Sequence, residues 1–149
     1  MLNNSRGLGT AQEEVSIDFL QPKEACVVAP LVEATFRRYV APHFDSQGEA
    51  TFLSYASADG LRGRLAQGHW GLIAYRNQRP VGMIEVRDNS HIALFFVAID
   101  LQRRGIGRQL LERALTECRR RRPGLCVVDV NASPNAVDAY RKLGFRAMD

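Results

Sequence analysis

Residues 91–122 constrain the fold of this chain more than any other stretch, because the hydrophobic period changes once within them, across a basic turn that contains glycine. His91–Val97 reads HIALFFV, an uncharged run of aromatic and branched residues. It is too short to span a membrane and is apolar on both faces, as in a buried strand. After the turn, Ile106, Leu110, Leu111, Ala114, Leu115 and Cys118 recur at helical spacing and make one apolar face. The order is therefore strand, turn, helix. The first turn of a helix carries backbone N–H groups without carbonyl partners and the positive end of the axial dipole, so it binds anions. Gly105 and Gly107 have no Cβ to keep a ligand away, and Arg103, Arg104 and Arg108 add guanidinium groups that suit phosphate oxygens. The turn has the makings of a pyrophosphate seat. It is not a Walker loop, since GxxxxGK is absent, nor a dinucleotide fingerprint, since Leu110 stands where the third glycine belongs.

The remaining sequence surrounds this unit with short elements. Residues 1–14 are polar and aperiodic and read as an N-terminal arm, with a single domain over 15–149. Val15, Ile17 and Phe19 alternate with polar residues as a first strand. Residues 24–39 keep helical spacing, with Pro30 expected to kink or divide the helix. A loop over 41–48 leads to two short helices, 49–55 and 58–65, broken near Ser57. Residues 69–75 and 80–87 are strand candidates joined by polar turns, so with His91–Val97 they make an antiparallel meander. The helix then returns the chain to a strand at 125–130, a βαβ unit requiring a parallel, right-handed crossover. A short helix over 136–143 is stopped by Gly144.

Gln102-Arg103-Arg104-Gly105-Ile106-Gly107 resembles the [Q/R]xxGx[G/A] signature of the GNAT superfamily of acyl-CoA N-acyltransferases, and VDVNASPNAVDAYRKLGF (128–145) is similar to the family's following strand, helix and closing "Y.klGF" motif. The resemblance covers about 15–145 and is strongest from His91 onward. It implies an α/β fold with a mixed, mostly antiparallel twisted sheet of about six strands flanked by helices. It also implies acetyl-CoA as co-substrate, its pantetheine arm held by main-chain groups where two parallel strands part, with Phe95, Phe96 and Val97 as candidates. The pyrophosphate then falls on the amides of Arg103, Arg104, Gly105, Ile106, Gly107 and Arg108. Tyr140 matches the tyrosine commonly placed as general acid near the CoA sulfur, and a phenol with a pKa of about 10 can donate at neutral pH. Asn131 matches an asparagine often found in this branch of the family and is the candidate to hydrogen-bond the pantetheine, with turn formation as the plain alternative; Asn135 is a weaker candidate. The family normally adds a further pair of strands after this motif, which implies that a final strand is missing here or is supplied by a neighbouring chain in a homodimer.

Glu85 sits mid-strand among Met83, Ile84 and Val86, where a carboxylate is costly unless paired or functional, so it is the candidate general base, in competition with an ion pair to an arginine. Asp129 and His91 are reserves. Cys118 and Cys126 lie in apolar patterns and read as buried core residues, which removes the obvious nucleophiles and favours direct transfer without an acyl-enzyme. Three unpaired cysteines and no secretory leader pattern point to a cytoplasmic protein. His43, His69 and His91 have no ligand spacing, so no metal is expected. The net charge of +4 comes almost wholly from arginine, 18 of the 20 basic residues. Four are consecutive, Arg119–Arg122, opposite the negative end of the helix; with no recognition motif beside them a nucleic-acid partner is disfavoured. The expectation is an acetyl-CoA-dependent N-acetyltransferase acting on a primary amine. A non-catalytic acyl-CoA sensor and an enzyme acetylating aminoacyl-tRNA are the alternatives.

Overall fold

The computed structural model describes residues 14–132 and 136–148. The arm expected over 1–14 lies almost wholly outside the described residues, as does Asn135. In chain order the elements are β1 (Ser16–Phe19), α1 (Ala25–Thr35), α2 (Ser46–Tyr55), α3 (Ala58–Ala66), β2 (Trp70–Arg76), β3 (Arg79–Arg87), β4 (His91–Val97), α4 (Ile106–Arg121), β5 (Asp129–Val130) and α5 (Val137–Lys142). The strands form one sheet in sequence order, antiparallel from β1 to β4 and parallel between β4 and β5. Two tight hairpins build the meander. Asn77 and Gln78 (φ 51° and 65°) turn β2 into β3, and Asp88 and Asn89 (φ 55° and 56°) turn β3 into β4. Both residues of each turn are left-handed, which matches the twist of the flanking strands.

Each face of the sheet is covered. Helix α4 lays Ile106, Leu110, Leu111, Ala114 and Cys118 on Leu72, Ala74, Ile84 and Val86. On the other face Val28 and Val32 of α1, with Leu61 of α3, pack on Ile73, Met83 and Leu94. Alternation along the strands separates these two sets. The approach of α4 is close at Gly82, where an added Cβ would lie 2.9 Å from Leu110 Cδ1. Asp45 caps α2 by accepting from Gly48 N (2.7 Å), and Ser57 caps α3 by accepting from Gly60 N (3.1 Å).

Five expectations are corrected. Pro30 does not divide α1, which continues to Thr35, and the irregular turn comes later, as a wide π turn over Phe36–Val40. Helix α2 begins at Ser46, inside the expected loop, because Asp45 caps it. Strand β5 is confined to Asp129–Val130 instead of 125–130, and the described residues give five strands rather than six. The reason for the short strand is that its partner begins at His91, just after the Asp88–Asn89 turn, so residues before Asp129 have no strand beside them. Cys126 is exposed; of the three thiols Cys118 alone is buried.

Candidate functional site

The parallel pairing of β4 with β5 joins His91 to Asp129 and Ile92 to Val130, and stops there. Glu85 faces Leu94 while Val86 faces Ile92, so Ala93 is an extra residue in β4, a bulge at the level where the two strands part. Beyond it, Ala98 N donates to Val81 O at 2.8 Å, and Met83 pairs with Phe96. Strand alternation then turns the backbone groups of Phe95 and Val97 away from β3, toward the gap, while those of Phe96 serve the ladder to β3. Among the described residues no strand pairs with this outward edge of β4 beyond Ile92.

The gap leads to the mouth of α4. Gly105 is the N-cap residue, in the left-handed conformation (φ 85°), and no side chain caps the helix. Gln109 N to Gly105 O (3.0 Å) is the first bond of the helix, so the amides of Ile106, Gly107 and Arg108 precede the ladder. Gly107 stands against β4, where an added Cβ would meet Phe95 and Val97 at 3.6 Å. Arg103 and Arg104 are exposed beside the mouth. Arg108 is engaged elsewhere: Nη2 donates to Lys142 O (3.0 Å) and ties α4 to the end of α5. Gln102 Nε2 donates to Val97 O (3.2 Å), so the glutamine of the signature holds the last β4 carbonyl, a role the sequence did not reveal.

Helix α5 brings Tyr140 to the same edge. Its ring lies 6.1 Å from that of Phe95 and 5.4 Å from that of Phe145. Among the described residues its hydroxyl has no hydrogen-bond partner, and burial pushes the phenol up to about 12. Asn131 follows β5 directly and is exposed. Phe95, Val97, the helix mouth and Tyr140 are thus neighbours in space, although 45 positions separate Phe95 from Tyr140.

Glu85 is wholly buried on the opposite face. Arg64 donates to it through Nε (2.7 Å) and Nη2 (2.9 Å), and His69 Nδ1 lies 2.7 Å from Oε2. Of the two roles its mid-strand position raised, the geometry displays the ion pair, with Arg64 as partner. Arg64 also donates to Tyr55 O and places its guanidinium 3.5 Å from the centre of the Tyr55 ring. Sequence reasoning missed Arg64 and His69; the only signal available was that a buried carboxylate needs a cation. The reserves His91 and Asp129 hydrogen-bond each other across β4 and β5. Among the described residues no group of three or more His, Cys, Asp or Glu side chains is placed to hold a metal ion, and no helix is long and apolar enough to cross a membrane.

Residues 40–149 match the family model described as "Acetyltransferase (GNAT) domain". Comparison with proteins of curated function finds no match. Among solved structures, a GCN5-related N-acetyltransferase from Rhodopseudomonas palustris superposes with a TM-score of 0.78 at 24% identity, over 90% of this chain and 82% of that one. The PaiA N-acetyltransferase of Thermoplasma acidophilum, solved with coenzyme A, gives 0.76 at 17% identity over 91% and 92%. An aminoglycoside acetyltransferase from an uncultured soil sample gives 0.64 at 21% over 91% and 90%. At these identities the likeness is one of fold.

Proposed function

The chain belongs to the GNAT acetyltransferase family, and from that premise we propose that it transfers the acetyl group of acetyl-CoA directly to a primary amine. One observation carries the reading: among the described residues no strand pairs with the outward edge of β4 at Phe95 and Val97, and that edge runs into a helix mouth with no side-chain cap. Backbone donors and acceptors in a row suit the amides of a pantetheine arm, as an added strand would. The amides from Arg103 to Arg108, with the charges of Arg103 and Arg104, suit the pyrophosphate that follows. Asn131, at the end of β5, stands on the far side of the same gap as a further hydrogen-bonding group.

The thioester supplies an activated carbonyl and a thiolate leaving group. Acyl transfer breaks the C–S bond, forms the N–C bond, and requires one proton for the sulfur and the loss of one from nitrogen. We assign the first to Tyr140, whose phenol burial keeps protonated and which has no hydrogen-bond partner among the described residues. For the second we propose release to water, with Glu85 kept in its ion pair. The competing role, Glu85 as base, is separated by Glu85→Gln: loss of a base removes the acidic limb of kcat/KM, whereas loss of a positioning group raises the acceptor KM and keeps the limb. Titration calorimetry tests the whole reading. Saturable binding of acetyl-CoA is expected, and no binding at millimolar ligand overturns it. Binding without turnover across a broad amine panel leaves the sensor role instead.

A further inference from the structure

Helix α2 and the turn before it enclose an open hollow of about 530 Å³, lined by Phe44, Asp45, Gln47, Thr51, Phe52 and Tyr55. Its rings are ordered. Phe44 meets Phe36 edge-on at 5.5 Å, Phe36 stacks on Phe52 at 4.1 Å, and Phe52 reaches Phe96 of β4 at 6.0 Å. Through Phe52 the wall of the hollow thus packs on Phe96 of β4, the strand whose backbone edges the proposed acyl crevice. Tyr55 is fixed in the wall by the guanidinium of Arg64, itself clamped by Glu85. Asp45 is the one charged residue of the lining. Its Oδ1 accepts from Gly48 N, and among the described residues it has no cationic partner.

We propose that this hollow is the acceptor site and that it selects a monoamine carried on an aromatic or apolar body; the inference rests on the acyl-transfer reading above. The rings of Phe44, Phe52 and Tyr55 cover the body of such a molecule. The Asp45 carboxylate, about 10 Å along α2 from Phe52 at 1.5 Å rise per residue, draws the ammonium form toward the mouth. Among the rings the ammonium loses its water, which favours the neutral amine that attack requires. A polyamine or an aminoglycoside places several ammonium groups in the same space, where one carboxylate leaves the rest desolvated and unpaired.

Transfer is followed by trapping the released CoA thiol at saturating acetyl-CoA, with calorimetric binding of acetyl-CoA measured on the same samples. Expected are kcat/KM values for phenethylamine and tryptamine at least tenfold above those for spermidine and kanamycin. Phe44→Ala, at an exposed ring, raises the Michaelis constant for phenethylamine at least fivefold. Asp45→Asn, which keeps the helix cap because asparagine caps as well as aspartate, raises the same constant and abolishes its dependence on salt, with kcat and melting temperature unchanged. Equal or better use of the polycations, or variants without effect on the Michaelis constant, overturns the substrate assignment alone, whereas no acetylation of any amine by protein that binds acetyl-CoA overturns the acyl-transfer reading itself. Failure to bind acetyl-CoA overturns the acyl-transfer reading beneath it.

Discussion

Tyr140 shows how one side chain's surroundings fix its chemistry. Burial against Phe95 and Phe145 disfavours the phenolate and raises its pKa to about 12. The raised value means that folding favours the protonated form. Its contribution to stability is complete below the unfolded value of 10 and is lost as pH rises from about 10 to about 12. The urea midpoint is therefore expected to fall above pH 10, and to fall less in Tyr140→Phe. The same variant should lower kcat by about 10²-fold, the low end for a proton donor, with acetyl-CoA affinity within twofold of the parent. An unchanged kcat removes the role. Tyr140 was legible because it stands in a local pattern, AYRKLGF. The partners of Glu85 were not. Arg64 lies 21 positions away, and nothing in the sequence distinguishes it from the other 17 arginines.

At the scale of elements, the strand–turn–helix from β4 to α4 could be read because its apolar period changes from strand to helix at one glycine turn. The hairpins at Asn77–Gln78 and Asp88–Asn89 were legible from turn chemistry. The extent of β5 was not, since it depends on where β4 begins to offer a partner, a tertiary fact. Two substitutions test how the elements are held. Gly82→Ala places a methyl 2.9 Å from Leu110 Cδ1 and 3.3 Å from Phe96 O, and should cost about 1–3 kcal/mol by overpacking. Glu85→Gln leaves the guanidinium of Arg64, only 14% exposed, without its counter-ion beneath α3. A loss of about 3 kcal/mol is expected in denaturant titration, and Arg64→Met with Glu85→Leu should recover most of it.

Across the described residues a five-stranded sheet lies between two unlike layers. Helix α4 covers the side that offers the helix mouth, and α1 to α3 cover the side that holds the aromatic hollow. The large arginine content is partly taken up by local pairs. Glu117 is held down to about 2 by Arg120 and Arg121, and Asp100 to about 2 by Arg79. Depressed carboxylates stabilise the fold above their unfolded values of 4.5 and 3.8, and that contribution fades as pH falls toward 2. A melting temperature that declines from pH 5 to pH 2.5, and declines less in Glu117→Gln, checks this. The Arg79–Asp100 pair and Arg120 are solvent-exposed, while Glu117 is largely covered by its two arginines, so the effect is a few degrees at most.

The parting of β4 from β5 after Ile92 has a cost for the protein when no ligand is bound. A free strand edge beside Phe95, Phe96 and Val97 is a template on which the strand of another molecule can add, the first step of aggregation. Donor occupancy should then act as a chaperone as well as a step in turnover. Light scattering on warming is expected to rise later with CoA present than without it, and by more than the ligand's shift in melting temperature accounts for.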